Sequence, residues 1–222
     1  MKQESWLMNQ QPISDKTIGR LSLYRRVLYG LLAEGERSIF SHQLAALVGG
    51  TAAQVRRDLM AVGYTGSPTR GYDVQELSES IGRFLESPQG QRAALVGVGN
   101  LGRALLAYFS GRRPKLSIEA AFDTDPLKYG RVIHGCRCYP MDDLVSQVGE
   151  LGITIGIVTV PAEYAQTVAD KLCQAGVFGI LNFAPTRLWT PSVVYVEDID
   201  MTMSLEKVAF FARQRAMEKG NI

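Results

Sequence analysis

The sequence has few cysteines, few histidines and no long hydrophobic run. Its three cysteines among 222 residues are an odd number, which argues against a disulfide framework and predicts reduced thiols. The longest apolar runs, 93–98 and 153–160, are far shorter than the roughly 20 residues of a bilayer helix, so no membrane span is expected. The first fifteen residues lack the basic start and apolar stretch of a secretory signal, which favours a cytoplasmic protein.

Histidine and cysteine offer little material for acid–base or metal chemistry. Neither His42 nor His134 falls where a dehydrogenase would need its catalytic base, although a Tyr or Lys could take that role. Cys136 and Cys138 lack the C-x₂₋₄-C spacing that is typical of structural zinc. We therefore expect no metal, and the enzyme interpretation is weakened but stays open.

Positive charge is concentrated in one part of the chain. Residues 16–72 contain eight Lys and Arg against three Glu and Asp, a net charge of +5 in a chain whose total is +2. Clustered positive charge favours a polyanionic partner such as nucleic acid, although it is also found on ordinary solvated surfaces. The pattern of the segment has to decide between the two.

The basic segment begins with two predicted helices. Apolar residues recur at three- and four-residue intervals over 18–32, which predicts an amphipathic helix with Ser14 as its cap and Gly35 at its end. Ser41 is predicted to cap a second helix over 42–48.

A tight Gly-Gly turn then leads into a third predicted helix, over 52–61. Thr51 and Gln54 have the spacing of a capping box at its start. A β-hairpin over 64–72 and a further helix over 75–85 follow. This order is typical of a winged helix-turn-helix domain.

We place this winged-helix domain over residues 1–86. The N-terminal part of a recognition helix faces the base edges, so Gln54, Arg56 and Arg57 are the candidate base contacts. Gln pairs with adenine and Arg with guanine in bidentate geometry, the alternative for either Arg being a phosphate contact. Further predicted DNA contacts, chiefly to the backbone, are Lys16, Ser41, Thr51 and Arg70.

After a linker at 87–90, strand-like and helix-like segments alternate, which predicts a parallel-sheet domain over 91–200 and a terminal helix within 201–222. The fold class is therefore α/β, with an N-terminal winged helix followed by a Rossmann-like domain. The predicted strands are 93–98, 117–122, 153–160, 179–183 and 193–196, and the helices are 101–110, 141–148, 162–175 and about 203–219.

A G-x-G-x-x-G motif lies directly after the first predicted strand and opens a helix. Gly97 permits the tight turn, Gly99 lets the backbone approach a pyrophosphate, and Gly102 allows close packing of helix on strand. The alternative is a strand-to-helix turn that binds nothing. The other loop residues are also predicted cofactor contacts: Val98, Asn100 and Leu101.

An acidic residue follows the motif at the separation expected for a ribose-binding group. Asp123 ends the second predicted strand, 21 residues after Gly102. Its negative charge should favour NAD(H) over a 2′-phosphorylated dinucleotide, since no Arg comes directly after it. Loops after later strands are candidates to complete the site, although either could be a simple turn: Thr159, Val160 and Pro161, and 182–185.

Taken together, the two halves resemble the bacterial redox-sensing repressor family called Rex, over nearly the whole chain. One match could arise by chance, but the ordered set is specific. The matching stretches are Ile18-x-Arg20-Leu21-x-x-Tyr24-x-Arg26-x-Leu28, 51–59, 97–102, Phe122-Asp123-x-Asp125-Pro126, 159–161 and 179–185.

The resemblance implies a homodimer in which residues 201–222 form a helix exchanged between subunits. It implies that NADH binding releases palindromic operator DNA, whereas NAD⁺ permits binding. Asp200 would contact the Arg26 region in one state only, which is the differential contact a ligand needs to shift a population. The residues implied at the nicotinamide end are Tyr108, Thr159, Phe183, Ala184 and Pro185.

The sequence departs from the family pattern in two places. Met201 stands where an aromatic residue is expected near the nicotinamide, and Ser67-Pro68 replaces an Arg-containing turn in the wing. Two other functions are kept as alternatives: an NAD-dependent dehydrogenase with a helical cap, and a nucleotide- or CoA-binding accessory domain that binds proteins through residues 1–86.

Overall fold

The computed structural model describes residues 13–111 and 115–219. The chain divides into two compact units, residues 1–88 and 89–222. No helix in the described part of the chain has the length and apolar character needed to cross a membrane.

The N-terminal unit is built on four described helices whose apolar faces share one core. These are α1 (Asp15–Ala33), α2 (Ser41–Val48), α3 (Ala52–Ala61) and α4 (Val74–Leu85), with a small antiparallel sheet of β1 (Ser38–Ile39) and β2 (Tyr72–Asp73). Leu21, Leu44, Val55 and Leu77, from the four helices in turn, are fully buried in that core. Burial of each such side chain stabilises the fold by about 1.5–3 kcal/mol.

Two of the three predicted helix caps are confirmed. The Ser14 hydroxyl accepts a hydrogen bond from the Thr17 amide, and the Thr51 hydroxyl accepts one from the Gln54 amide, both at 3.2 Å. The prediction for Ser41 is wrong, because α2 begins at that residue and Phe40 is its N-cap. There the Gln43 side chain accepts from the Phe40 amide at 2.8 Å.

The predicted hairpin over 64–72 is reduced to a tight turn. The backbone groups of Ser67 and Gly71 exchange two hydrogen bonds of 2.8 Å, but β2 then pairs with β1 rather than with residues 64–66. The Cβ atom of any residue but glycine at Gly66 would come within 2.5 Å of the Tyr72 ring. The backbone at residue 66 passes so close to the Tyr72 ring that only glycine fits there.

The C-terminal unit contains a seven-stranded sheet in the order β5-β6-β4-β3-β7-β8-β9, parallel except for β5. Its strands are β3 (Gln91–Val96), β4 (Leu116–Asp123), β5 (Val132–Ile133), β6 (Cys136–Pro140), β7 (Ile155–Val158), β8 (Gly179–Asn182) and β9 (Tyr195–Asp198). Its helices are α5 (Asn100–Phe109), α6 (Leu144–Glu150), α7 (Ala162–Gln174) and α8 (Met201–Glu218). The predicted Rossmann-like architecture is confirmed, with the reversal of strand order between β3 and β7.

The sequence interpretation missed the β5–β6 hairpin. Its two-residue turn, His134 and Gly135, has positive φ at both positions, 48° and 84°, as a type I′ turn requires. The side chains of Cys136 and Cys138, on β6, are buried in the core, and burial raises the pKa of the Cys136 thiol to about 12. These cysteines are therefore small core residues with protonated thiols.

Helix α8 begins at Met201, and the Asp200 carboxylate caps it by accepting from the Met203 amide at 2.8 Å. In this chain the helix has no buried residue. Its exposed apolar side chains are Met201, Met203, Leu205, Val208, Phe210, Phe211 and Met217.

Candidate functional site

The glycine-rich loop lies where β3 ends, next to the reversal of strand order. The Gly97 amide donates to the Phe122 carbonyl of β4 at 2.8 Å, and Gly97 has φ of +99°. A Cβ atom at Gly102 would lie 2.1 Å from the Gly97 carbonyl oxygen, whereas one at Gly99 would meet nothing within 4 Å. Gly102 therefore closes the turn, and Gly99 leaves open space at the start of α5, where helix amides attract phosphate.

The Asp123 carboxylate joins this loop to the end of β4. It accepts from the Val98 amide at 2.7 Å, from the Asp125 amide at 2.9 Å and from the Lys128 ammonium at 2.9 Å. Burial alone would raise the pKa of Asp123, but these donors outweigh it and lower that pKa. The carboxylate is thus ionised and held in place, as a ribose-binding acceptor must be.

Lys128 contacts the candidate ribose-binding carboxylate, and the sequence interpretation missed it. The chain turns back through a short 3₁₀ helix, Pro126–Lys128, which brings the ammonium group against both Asp123 and Asp125. This cation offsets part of the negative charge that was predicted to reject a 2′-phosphate. No spacing rule linked the two residues in the sequence.

The loop after β7 is bonded to the glycine-rich loop. The Thr159 hydroxyl lies 2.7 Å from the Gly97 carbonyl oxygen and 3.0 Å from that of Val96. Val160 lies against the same turn, with its Cγ1 2.8 Å from the position of a Cβ at Gly97. Pro161 caps α7 and is exposed. The structure therefore brings the two predicted loops together, with the Thr159 hydroxyl turned toward the protein.

The loop after β8 is shaped by a buried amide. Asn182 is 1% exposed, its nitrogen donates to Thr186 and Asp198, and its oxygen accepts from the Ala184 amide at 3.0 Å. Phe183 is half-buried and packs with the core under α5, while Pro185 is exposed. β8 lies directly beside β7 and is parallel to it, so this loop and the loop with Thr159 follow neighbouring strands at the same edge of the sheet.

Three other predicted residues lie on helices or helix ends rather than in these loops. The Tyr108 ring is half-exposed, eight residues beyond Asn100 on α5, which is roughly 12 Å along the helix. Met201 is exposed at the start of α8, and Asp200 caps that helix.

In the N-terminal unit, the predicted recognition helix α3 is tied to α1 by a buried carboxylate. Asp58 is 2% exposed and accepts from Arg20 through both oxygens, at 2.6 and 2.8 Å, and from the Tyr24 hydroxyl at 2.8 Å. Burial alone would raise the pKa of Asp58, but these donors and Gln54 lower it. We call Arg20, Tyr24, Gln54 and Asp58 the Asp58 cluster.

The predicted DNA contacts on α3 differ in how they are held. The Gln54 side-chain nitrogen donates to Asp58 at 2.8 Å. In the described part of the chain its oxygen accepts no bond from the Thr51 amide, so the predicted capping box is only half formed. The Arg56 guanidinium donates to the Ser41 hydroxyl of α2 at 3.0 Å. The Arg57 side chain is exposed.

The remaining predicted DNA contacts are exposed at three separate places of the same unit. Lys16 lies in the first turn of α1, Thr51 precedes α3, and Arg70 is in the tight turn before β2. Arg26 of α1 is exposed as well.

Comparisons with known proteins agree with this division of the chain. A family model described as a putative DNA-binding protein N-terminus matches residues 12–59, and one described as a CoA binding domain matches residues 89–186. Among solved structures, the chain is similar to RSP, a Rex-family repressor, with a TM-score of 0.84 and 30% identity over 95% of this chain and 99% of that one. The structure of RSP with β-NAD⁺ and operator DNA gives a TM-score of 0.85 at 30% identity, over 95% and 97%.

Similarity to curated proteins extends over almost the full length. The redox-sensing transcriptional repressor Rex of Rhodopirellula baltica is 43% identical over 91% of this chain and 86% of its own. Rex of Carboxydothermus hydrogenoformans is 43% identical over 91% of this chain and 97% of its own. On this evidence the chain belongs to the Rex family of redox-sensing transcriptional repressors.

Proposed function

We propose that this protein represses transcription by binding operator DNA through its N-terminal unit, and that NADH binding to its C-terminal unit releases the DNA. The main observation behind this proposal is that the Gly97–Gly102 loop lies at the reversal of strand order and is hydrogen-bonded to an ionised Asp123. The other unit of the same chain has a helix with exposed basic residues. Solved structures of RSP with β-NAD⁺ and operator DNA and with β-NADH support it.

In the dinucleotide half, the pyrophosphate would lie over Gly99 at the start of α5, where added atoms meet open space. The adenosine ribose would donate its hydroxyls to Asp123. The loops at 159–161 and 183–185 end the strands β7 and β8, so they would surround the nicotinamide. Because Thr159 uses its hydroxyl on the Gly97 carbonyl, its part is to hold the loop.

In the DNA half, Arg57 and Arg56 on α3 would reach the major groove, and Lys16, Thr51 and Arg70 would contact the phosphate backbone. We propose a homodimer and hence a palindromic operator. The exposed apolar side chains of α8 support it, since a helix with no buried residue in its own chain needs a partner surface.

The switch would involve Arg26 and Asp200, which contact each other in only one of the two states. In the structure Asp200 caps α8, so a contact with Arg26 would use its second oxygen or replace the cap. Met201, directly after it, would supply a flexible apolar contact in place of an aromatic ring.

We propose that the protein does not turn over its dinucleotide. His134 lies in the hairpin at the β5 edge, three strands from β3 in the sheet order, and His42 lies on α2 of the other unit. His134 is therefore not at the proposed nicotinamide loops to move a proton, and His42 belongs to the unit that we propose binds DNA. A repressor works on the chromosome, so we place it in the cytoplasm.

The test is selection of bound sequences from random duplex DNA, followed by titration of the recovered duplex with NADH and with NAD⁺ at fixed salt. We expect a palindrome that NADH releases at concentrations where NAD⁺ does not. Release that is indifferent to the nicotinamide redox state would contradict the proposal. Consumption of NADH with a panel of small carbonyl substrates would point to the dehydrogenase instead.

A second candidate ligand comes from the match of residues 89–186 to a CoA binding domain. CoA also contains an adenosine diphosphate, and Lys128 beside Asp123 is a cation that could meet its ribose phosphate. Competition of CoA against NADH, followed by direct titration of CoA, separates the two. If CoA binds more tightly than NADH, the dinucleotide-sensing proposal fails.

A further inference from the structure

The Asp58 cluster fixes the orientation of the Gln54 side-chain amide on the recognition helix. Both Asp58 oxygens are occupied: Oδ1 accepts from Arg20 Nη2 and from Gln54 Nε2, each at 2.8 Å, and Oδ2 accepts from Arg20 Nε at 2.6 Å and from the Tyr24 hydroxyl at 2.8 Å. The carboxylate is 2% exposed, so water cannot readily replace any of these donors. Asp58 is therefore a fixed acceptor.

A fixed acceptor decides which way the Gln54 amide points. An ionised carboxylate only accepts hydrogen bonds, so the nitrogen of the amide has to face Asp58. Turning the amide over would place Gln54 Oε1 at the nitrogen's position, 2.8 Å from Asp58 Oδ1, with two acceptors in contact and a hydrogen bond lost. The position of Oε1 is thereby set as well.

Gln54 lies in the first turn of α3, the part of a recognition helix that faces base edges. Its side chain is half-buried. Among the residues that the structure describes, none donates a hydrogen bond to its Oε1 atom. That oxygen is the acceptor left for a group outside the unit.

We infer that Gln54 determines base specificity through Oε1, as an acceptor from the exocyclic amino group of adenine or cytosine in the major groove, and that Asp58 is the positioning residue that holds it so. These two amino groups are the major-groove donors of the bases. Guanine and thymine offer acceptors at the corresponding positions, which repel a fixed oxygen. The inference rests on the proposed DNA binding.

The first arm of the test uses the wild-type protein and modified DNA. Selection with wild type and with Gln54→Ala identifies the base pair whose preference depends on Gln54. In that pair the amino group is then replaced by hydrogen, using purine for adenine or 2-pyrimidinone for cytosine. Wild type should lose affinity about three- to tenfold, the effect of one hydrogen bond, whereas Gln54→Ala should not distinguish the two duplexes.

The second arm tests the role of Asp58. Asp58→Asn supplies an amide that can face Gln54 with either its oxygen or its nitrogen, so the Gln54 amide is no longer fixed. We expect the dependence on the amino group to fall to about twofold or less in this variant, with the salt dependence of binding unchanged. In the Gln54→Ala background, where affinity no longer depends on the amino group, Asp58→Asn should leave the two duplexes equally well bound. A difference between them would show an effect of Asp58 that does not act through Gln54.

Tyr24→Phe is the matched control, because it removes one donor from Asp58 and leaves the Gln54 contact in place. It should keep the dependence on the amino group. If Asp58→Asn fails to fold, the experiment with modified DNA still tests whether Gln54 contacts the amino group. Tyr24→Phe, alone and combined with Arg20→Lys, then weakens the Asp58 cluster in graded steps.

The outcomes are distinguishable. If wild type enriches no sequence, the proposed DNA binding fails. If it enriches a palindrome but Gln54→Ala relaxes no position, or removal of the amino group costs nothing, the specificity inference is overturned while the proposed function stands. If Asp58→Asn folds and keeps the full dependence, the positioning role is overturned.

Discussion

The two units hold their functional groups by different means. In the N-terminal unit, α3 is held by side chains, which converge on Asp58 from α1 and from α3 itself. In the C-terminal unit, the glycine-rich loop also has side-chain bonds, from Thr159 and to Asp123, but its turn depends on the absence of Cβ atoms at Gly97 and Gly102. A side-chain network can lose one donor at a time, whereas a turn that fits only glycine fails at the first substitution.

Gly102→Ala should have the largest effect. Its Cβ atom would lie 2.1 Å from the Gly97 carbonyl oxygen. Because that oxygen is a backbone atom, no side-chain movement can relieve the overlap, and the turn has to open. We expect the C-terminal unit to be destabilised by about 3 kcal/mol and NADH binding to be lost. Urea unfolding followed by a signal from that unit measures the change.

Gly99→Ala is the control for that experiment, since a Cβ there meets nothing within 4 Å. Its stability without cofactor should change by less than about 1 kcal/mol. NADH affinity should still fall at least about tenfold, because the methyl group would occupy the space proposed for the pyrophosphate. Equal stabilities of the two variants would contradict this account of the loop.

Asp58→Ala should destabilise the N-terminal unit by about 2–4 kcal/mol, because the Arg20 guanidinium and the Tyr24 hydroxyl lose the carboxylate to which they donate. Operator binding should be lost with it. Thermal unfolding and DNA binding measure the two effects, and Tyr24→Phe should show a smaller loss of about 1 kcal/mol. A larger loss in Tyr24→Phe than in Asp58→Ala would contradict the central place of the carboxylate.

The lowered pKa of Asp58 gives this unit a definite dependence on pH. A carboxylate whose pKa is lowered by folding stabilises the fold above its unfolded value of about 3.9 and loses that contribution as pH falls through the folded value. The stability of wild type should therefore drop below about pH 4. Asp58→Asn should have a shallower drop in this unit.

Asp123→Ala should reduce NADH affinity about tenfold or more, because it removes the proposed ribose acceptor and releases the Val98 amide and Lys128. DNA binding without cofactor should be unchanged, since the N-terminal unit is not altered. Titration calorimetry and DNA binding in the absence of NADH check the two statements. If apo DNA binding collapsed as well, Asp123 would have a structural role.

Ser41→Ala should have the smallest effect. It removes the hydroxyl that accepts from Arg56 at an exposed site, so Arg56 is less well oriented but keeps its charge. We expect operator affinity to fall by about twofold. Arg56→Ala is the comparison and should lose more affinity, with a reduced slope of affinity against salt concentration if Arg56 contacts a phosphate.

What the sequence could predict was local. The glycine motif, the position of Asp123 and the caps at Ser14 and Thr51 follow from spacings of a few residues, and the structure has each group in its element as expected. The Gln54–Asp58 contact was also within reach, because the two residues lie four apart on a helix. The capping box was favoured instead.

What the sequence could not predict depends on distant groups. Arg20 and Asp58 are 38 residues apart in the chain. Ser41, on α2, accepts a hydrogen bond from Arg56 on α3 and does not cap its own helix. Strand β6 was missed, although Cys136 and Cys138 alternate with Arg137 and Tyr139 as strand residues do. Lys128 reaches Asp123 only because a 3₁₀ turn folds it back.

The most direct test of a sensor unit coupled to a separate DNA-binding unit is NADH titration of wild type and Gly99→Ala on the selected operator, at one salt concentration. Wild type should bind and be released by NADH but not by the same concentration of NAD⁺. Gly99→Ala should bind with the same affinity and stay bound in NADH. Release of both proteins by NADH, or loss of operator binding in Gly99→Ala without cofactor, would contradict this account.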